Sequence, residues 1–145
     1  MAFSGNFVCD SFKQELFEGV HTFGPDGDQF KIALYDNNAS FNASTTSYTS
    51  TNEVSASGDY SAGGGNLTCP VAPTISSGVV LIDFSNISFT GVTFTPYGAL
   101  IYNSSASGNP AAFVLDFGGP QQALSETFTI VFPPFTLTQA FVRMS

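Results

Sequence analysis

Apolar residues alternate through residues 30–35, with Phe30, Ile32 and Leu34 on one face of an extended chain and Lys31, Ala33 and Tyr35 on the other. Comparable strand patterns recur at 67–69, 79–84, 89–95, 99–102, 112–117, 127–132 and 140–144. The run 79–84 is almost continuously apolar, as in a strand covered on both faces. In 89–95 the phase slips, because Phe89 and Val92 are an odd number apart; Gly91 between them predicts a bulge that restores it. Gly-, Pro- and Asn-rich turns separate these runs at intervals of roughly 8 to 15 residues, the spacing of a β-sandwich or barrel. One stretch has a different period. Phe12, Leu16 and Val20 form a helical stripe, Ser11 and Gln14 have the form of a capping box, and Gly19 is a stop, which predicts a helix over 11–20. The fold class expected is mainly all-β. It is a single β-sandwich or jelly-roll-like domain of about eight strands with one short N-terminal helix. Residues 1–10 read as an N-terminal arm and 11–145 as the sandwich.

The segment after Tyr35 breaks the alternation. From Asp36 to Ser50 it is rich in Asn, Ser and Thr, with Phe41 and Tyr48 as exceptions. It is too long for an ordinary connection and is expected to be an exposed or partner-contacting loop. The glycine run at 63–65 is followed by no Lys-Ser/Thr pair and opens no helix, so a phosphate cradle is excluded by context.

Charge narrows the function. The chain is only 10% charged and carries a net charge of -8, with Lys13, Lys31 and Arg143 as its fixed cations. Gripping phosphates requires several Lys or Arg, so no nucleic-acid partner is expected. No membrane partner is expected either: no run has the length of a membrane helix, and an anionic surface would repel the chain. The start lacks a basic leader, so a secretory signal is not expected, and the Asn-x-Ser/Thr sites read as a by-product of composition.

Chemistry-bearing residues are sparse. His21 is the single histidine and reads as structural, at the end of the helix. Cys9 and Cys69 form no CxxC motif and read as ordinary thiols. Asp26-Gly27-Asp28 lacks the later ligands of a calcium loop. Asp83 and Asp116 interrupt apolar strands, and each is expected to point outward or meet a backbone amide. No catalytic residue, cofactor-binding residue or metal ligand is assigned, and no enzyme is expected. The anomaly is apolar surface. Phe3, Phe7, Phe41 and Phe135 lie outside the strand cores and, with Tyr48 in the polar loop, are the candidate partner-interface residues.

Six segments carry a resemblance. They are Ser11-Phe12-Lys13-Gln14-Glu15-Leu16, residues 30–35, and Tyr48-Thr49-Ser50-Thr51-Asn52-Glu53-Val54-Ser55. The others are Tyr60-Ser61-Ala62-Gly63-Gly64, Tyr97-Gly98-Ala99-Leu100-Ile101-Tyr102-Asn103 and Val114-Leu115-Asp116-Phe117-Gly118. In order and spacing they resemble a family of small virion structural proteins of tailed bacteriophages, some of which are capsid decoration or cement proteins. The Gly63-Gly64-Gly65 run and the Pro133-Pro134 pair depart from that pattern. The resemblance implies a non-enzymatic β-rich protein, made in the host bacterial cytoplasm and bound to the outer capsid surface of the virion. Its partner would be the major capsid protein, and it would act as a homotrimer. The alternative is a tail, baseplate or head-fibre attachment protein. A stand-alone carbohydrate-binding module is a third reading, from a different class.

Overall fold

The computed structural model describes residues 3–136 and 138–144. The protein is mostly β, with one short helix and several antiparallel sheets. Strand β2 (Phe30–Tyr35) lies near the middle, with the bounds its alternation predicts. It pairs along its whole length with β7 (Gly98–Asn103), Phe30 opposite Asn103 and Tyr35 opposite Gly98. On its other side it pairs with β3 (Gly65–Asn66). β7 continues to β8 (Ala111–Asp116), and β8 to β1 (Phe7–Val8), giving a five-stranded sheet in the order β1-β8-β7-β2-β3. The N-terminal arm therefore docks on the domain itself, as an edge strand.

Helix α1 (Asp10–Phe17) begins one residue earlier and ends three earlier than its stripe predicts. Cys9 is still strand-like, its amide donating to the Ala112 carbonyl, so Cys9 becomes the N-cap and makes no side-chain cap. The expected capping box is not formed: Ser11 sits inside the first turn, with its hydroxyl buried and without a hydrogen-bond partner. At the other end Gly19 adopts φ +74, and the Val20 amide closes back on the Glu15 carbonyl, a Schellman-type stop.

The second half of the chain is one long antiparallel hairpin folded over three sheets. Besides the β7–β8 pair, β6 (Ile87–Phe94) runs against β9 (Ala123–Ile130) in a two-stranded ribbon. Farther from the hairpin tip, β5 (Val79–Ile82) runs against β10 (Val142–Met144), and β4 (Thr74–Ser76) flanks β5. The described residues thus form ten short strands, not about eight. The corners fall where prolines interrupt the ladder: Pro96 and Pro120 between the inner pairs, Pro133 and Pro134 between the outer ones. Proline has no amide hydrogen to donate, so the ribbon breaks and changes sheet there.

Two expectations meet different outcomes in this half. The bulge in β6 is where Gly91 places it: the register shifts between Phe89 and Val92, Gly91 takes φ +66, and both apolar side chains are buried. Strand β5 is not covered on both faces, because it lies in an outer three-stranded sheet; only Leu81 is buried. The strand expected at 67–69 is displaced to β3, since the close approach of Gly64 to the Ile32 carbonyl fixes where that segment meets β2.

Phenylalanine fills the core. Phe23 stacks on Phe30 at 4.5 Å, Phe12 meets Phe113 at 5.0 Å, and Phe141 meets Phe113 at 5.0 Å and Phe132 at 5.2 Å. These contacts join α1 and the β4–β5–β10 sheet to one face of the five-stranded sheet. Burying each ring contributes roughly 1.5–3 kcal/mol, which is how a chain with so few charges spends its aromatic content.

Candidate functional site

The segment from Asp36 to Ser50, expected to be an exposed or partner-contacting loop, is largely exposed, with Ala39 and Phe41 buried beneath it, and with the residues up to Gly64 it forms a cover over the sheet. It is tied to the two strands that flank β7. The Val54 amide donates to the Leu34 carbonyl, and the Ala111 amide to the Thr46 carbonyl. Asn and Asp side chains hold the turns between, with the Asn38 amide on Asp36 Oδ1 and the Ser44 amide on Asn42 Oδ1. The polar composition thus reflects local turn bonding as well as exposure.

This cover decides the fate of the candidate interface residues. Phe41 and Phe3 are buried, at 6% and 5% exposure, and are not available to a partner in this fold. Phe41 meets Tyr35 edge-on at 4.6 Å and Phe3 at 6.1 Å, and the Phe3 ring fills the space where a Cβ on Gly98 would stand. Phe7 is half-buried on β1 and packs against the core. Tyr48 is half-buried, stacked on Tyr102 at 4.6 Å. Phe135 is exposed. The structure brings Phe3 and Phe41 together and leaves the other three apart from them.

The cover is pinned from within by Glu53. Its carboxylate accepts from the Tyr48 hydroxyl at 2.7 Å, the Tyr60 hydroxyl at 2.7 Å and the Gly63 amide at 2.8 Å. The Tyr60 hydroxyl also accepts from the Leu34 amide, and the Tyr102 hydroxyl donates to the Gly63 carbonyl. Burial, reinforced by the Glu53 charge, pushes the phenols of Tyr35, Tyr48, Tyr60 and Tyr102 above the ordinary value, Tyr102 to about 12. These groups are held protonated as donors.

A second polar cluster lies on the other face. His21 is buried between Phe12 and Phe30. Its Nε2 lies 3.1 Å from Glu15 Oε1 and its Nδ1 3.0 Å from Asn103 Nδ2. Asn103 Oδ1 accepts the amides of Ser105 and Ala106, which fixes the amide orientation and makes Nδ2 the donor. Nδ2 also reaches Asp28 Oδ2 at 2.8 Å. His21 Nδ1 is therefore the acceptor, and Nε2 carries the proton toward Glu15. The cluster ties the helix end and the segment before β2 to the end of β7, a structural role of the kind expected for His21.

Open apolar surface gathers elsewhere. A groove of about 520 Å³ lies at the outer corner of the hairpin, with Pro70 and Val71 on one side, Val131, Pro133 and Phe135 on the other, and Asp83 in its lining. Val71, Val131 and Phe135 are exposed at its rim. Asp83 itself is only 4% exposed; its Oδ1 accepts the Phe84 amide at 2.9 Å, and desolvation raises its pKa against the pull of the Phe84 and Phe141 amides. It meets a backbone amide, as expected. Asp116 does so too, through Gly118. Sequence reasoning missed Val131, although it alternates with the inward Ile130 and Phe132. It also missed Phe17, 95% exposed, although that residue stands off the Phe12–Leu16 stripe.

Among the described residues no group of three or more His, Cys, Asp and Glu is placed to hold a metal, and no helix is long and apolar enough to cross a membrane. Cys9 and Cys69 are buried free thiols, and desolvation raises Cys9 to about 11. Comparison with protein-family models, curated proteins and solved structures finds no match to this chain.

Proposed function

We propose that this chain is a non-enzymatic contact protein of the bacteriophage virion, a capsid decoration or cement protein bound to the outside of the head. The observation that carries the reading is the groove at the hairpin corner, whose rim exposes Val71, Val131 and Phe135 on an otherwise tightly tied scaffold. Exposed apolar side chains around one concavity fit a surface that is covered in an assembly. The net charge of -8 fits an outer position, because packaged nucleic acid repels an acidic chain from the inner wall. Binding the assembled lattice of the major capsid protein would stabilise that lattice by mass action.

The layering supports the finer fold reading of a jelly-roll-like β-sandwich. The three nested pairs β5–β10, β6–β9 and β7–β8 are those of a single hairpin rolled across sheets. A homotrimer is part of the same proposal and would cover further exposed side chains such as Phe17 and Ile75. The test is a density map of the intact particle. Density for this fold repeated across the head lattice, in threefold clusters, is the expected result. Density confined to a tail or one vertex, or none, overturns it.

A further inference from the structure

We propose that the groove between residues 70–71 and 131–135 docks a short extended segment of a partner protein in which apolar residues flank a lysine or arginine, with the cation seated against Asp83. The groove walls are apolar: Pro70, Val71, Val131, Pro133 and Phe135. Asn86 is already engaged, its Oδ1 accepting the Phe132 amide. That leaves the Asp83 carboxylate as the charged feature of the groove. It is only 4% exposed, and its partners are the backbone amides of Phe84 and Phe141, with no side chain among them.

No cation among the described residues neutralises it. The ion pair there is Lys13 with Asp10, and His21 is engaged by Glu15 and Asn103. A desolvated carboxylate without a counter-ion raises the free energy of the unbound protein, and a partner's cation relieves that cost while the apolar walls exclude water. An anionic or wholly apolar segment would leave the charge buried and unpaired.

A second copy of this chain fits poorly. It carries a net charge of -8, Lys13 is paired with Asp10, and the segments around Lys31 and Arg143 are already taken up as strands β2 and β10, although the Arg143 residue is exposed. The occupant is therefore a different, basic protein segment. This rests on the contact-protein reading above and identifies the chemistry of the contact.

The experiment is an NMR titration of the isotope-labelled full chain with the peptide Ac-Leu-Arg-Leu-NH2. Ac-Leu-Glu-Leu-NH2 and the neutral citrulline analogue are the controls. The expected result is that the arginine peptide shifts the amides of 83–86, 131, 132 and 135, and that both controls bind at least about tenfold more weakly, the worth of one charge-assisted contact. Asp83→Asn, with its native spectrum retained, should lose the preference for arginine. If that variant does not fold, Phe135→Ser at the exposed rim should still weaken the arginine peptide severalfold. Equal binding of the glutamate peptide, absence of binding, or shifts centred on another cleft overturns the proposal. Failure here with lattice-wide density on the particle would sink the docking chemistry alone; peptide binding without particle density would sink the virion reading alone.

Discussion

Removing the Glu53 carboxylate should loosen the cover over the five-stranded sheet. In Glu53→Ala three hydrogen bonds disappear, from Tyr48, Tyr60 and the Gly63 amide. A bond to a charged group contributes about 1.5–3 kcal/mol net, and Tyr60, 1% exposed, has no water to turn to. Sharing one acceptor carboxylate makes the three less than additive, so the expected loss is roughly 3–5 kcal/mol. In Glu53→Gln the amide oxygen can keep the Oε1 pair, Tyr60 and Gly63, while the amide nitrogen meets Tyr48, whose hydroxyl can turn to accept. The loss there should be about 1–2 kcal/mol. Urea unfolding at neutral pH measures both, with the slope checking that the unfolded state is unchanged. A domain of ordinary stability, about 5–15 kcal/mol, survives either change well enough to be measured. An alanine variant within about 0.5 kcal/mol of the parent, or equal losses for the two variants, would refute the assignment of Glu53 as the pin.

Alkaline pH should unfold the protein cooperatively. Unfolded tyrosines lose protons near pH 10, whereas burial holds Tyr35, Tyr60 and Tyr102 protonated to higher pH, so above about pH 10 the unfolded state binds fewer protons and stability falls by roughly 4 kcal/mol per unit. Tyrosinate absorbance rising near pH 10 while circular dichroism stays native would contradict this. The glycines separate backbone conformation from crowding: Gly91→Ala, at φ +66 in open space, should cost about 1–2 kcal/mol. Gly64→Ala, whose Cβ would collide with the Ile32 carbonyl, should lose more than about 3 kcal/mol, and equal melting shifts would contradict the contact.

Local signals carried the strands whose causes are local. The bounds of β2 follow from alternation, the bulge in β6 from Gly91, and the corners of the hairpin from Pro96 and the Pro133-Pro134 pair. What composition misjudged in the segment after Tyr35 was Phe41, which is buried. Its Asn and Ser residues are exposed as expected and also bond their own turns, whereas the burial of Phe41 depends on Tyr35 and Phe3 arriving from elsewhere. The helix start was misjudged for a similar reason, because the bond from Cys9 to Ala112 spans most of the chain. The His21 cluster needs Asn103 and Asp28, neither of which a pattern near residue 21 contains. Of the candidate interface, Phe135 alone was legible as exposed, from its place after two prolines.

The nested hairpin also orders events in time. Closing a short loop costs less entropy than closing a long one, so the tip between β7 and β8 is the cheapest place to begin. From there each pair shortens the loop that the next must close, first β6 with β9 and then β5 with β10. On that entropy argument the strands would assemble like a zipper, from the tip outward. The groove at the outer corner, lying between the last two pairs, would be among the last features of the surface to take shape.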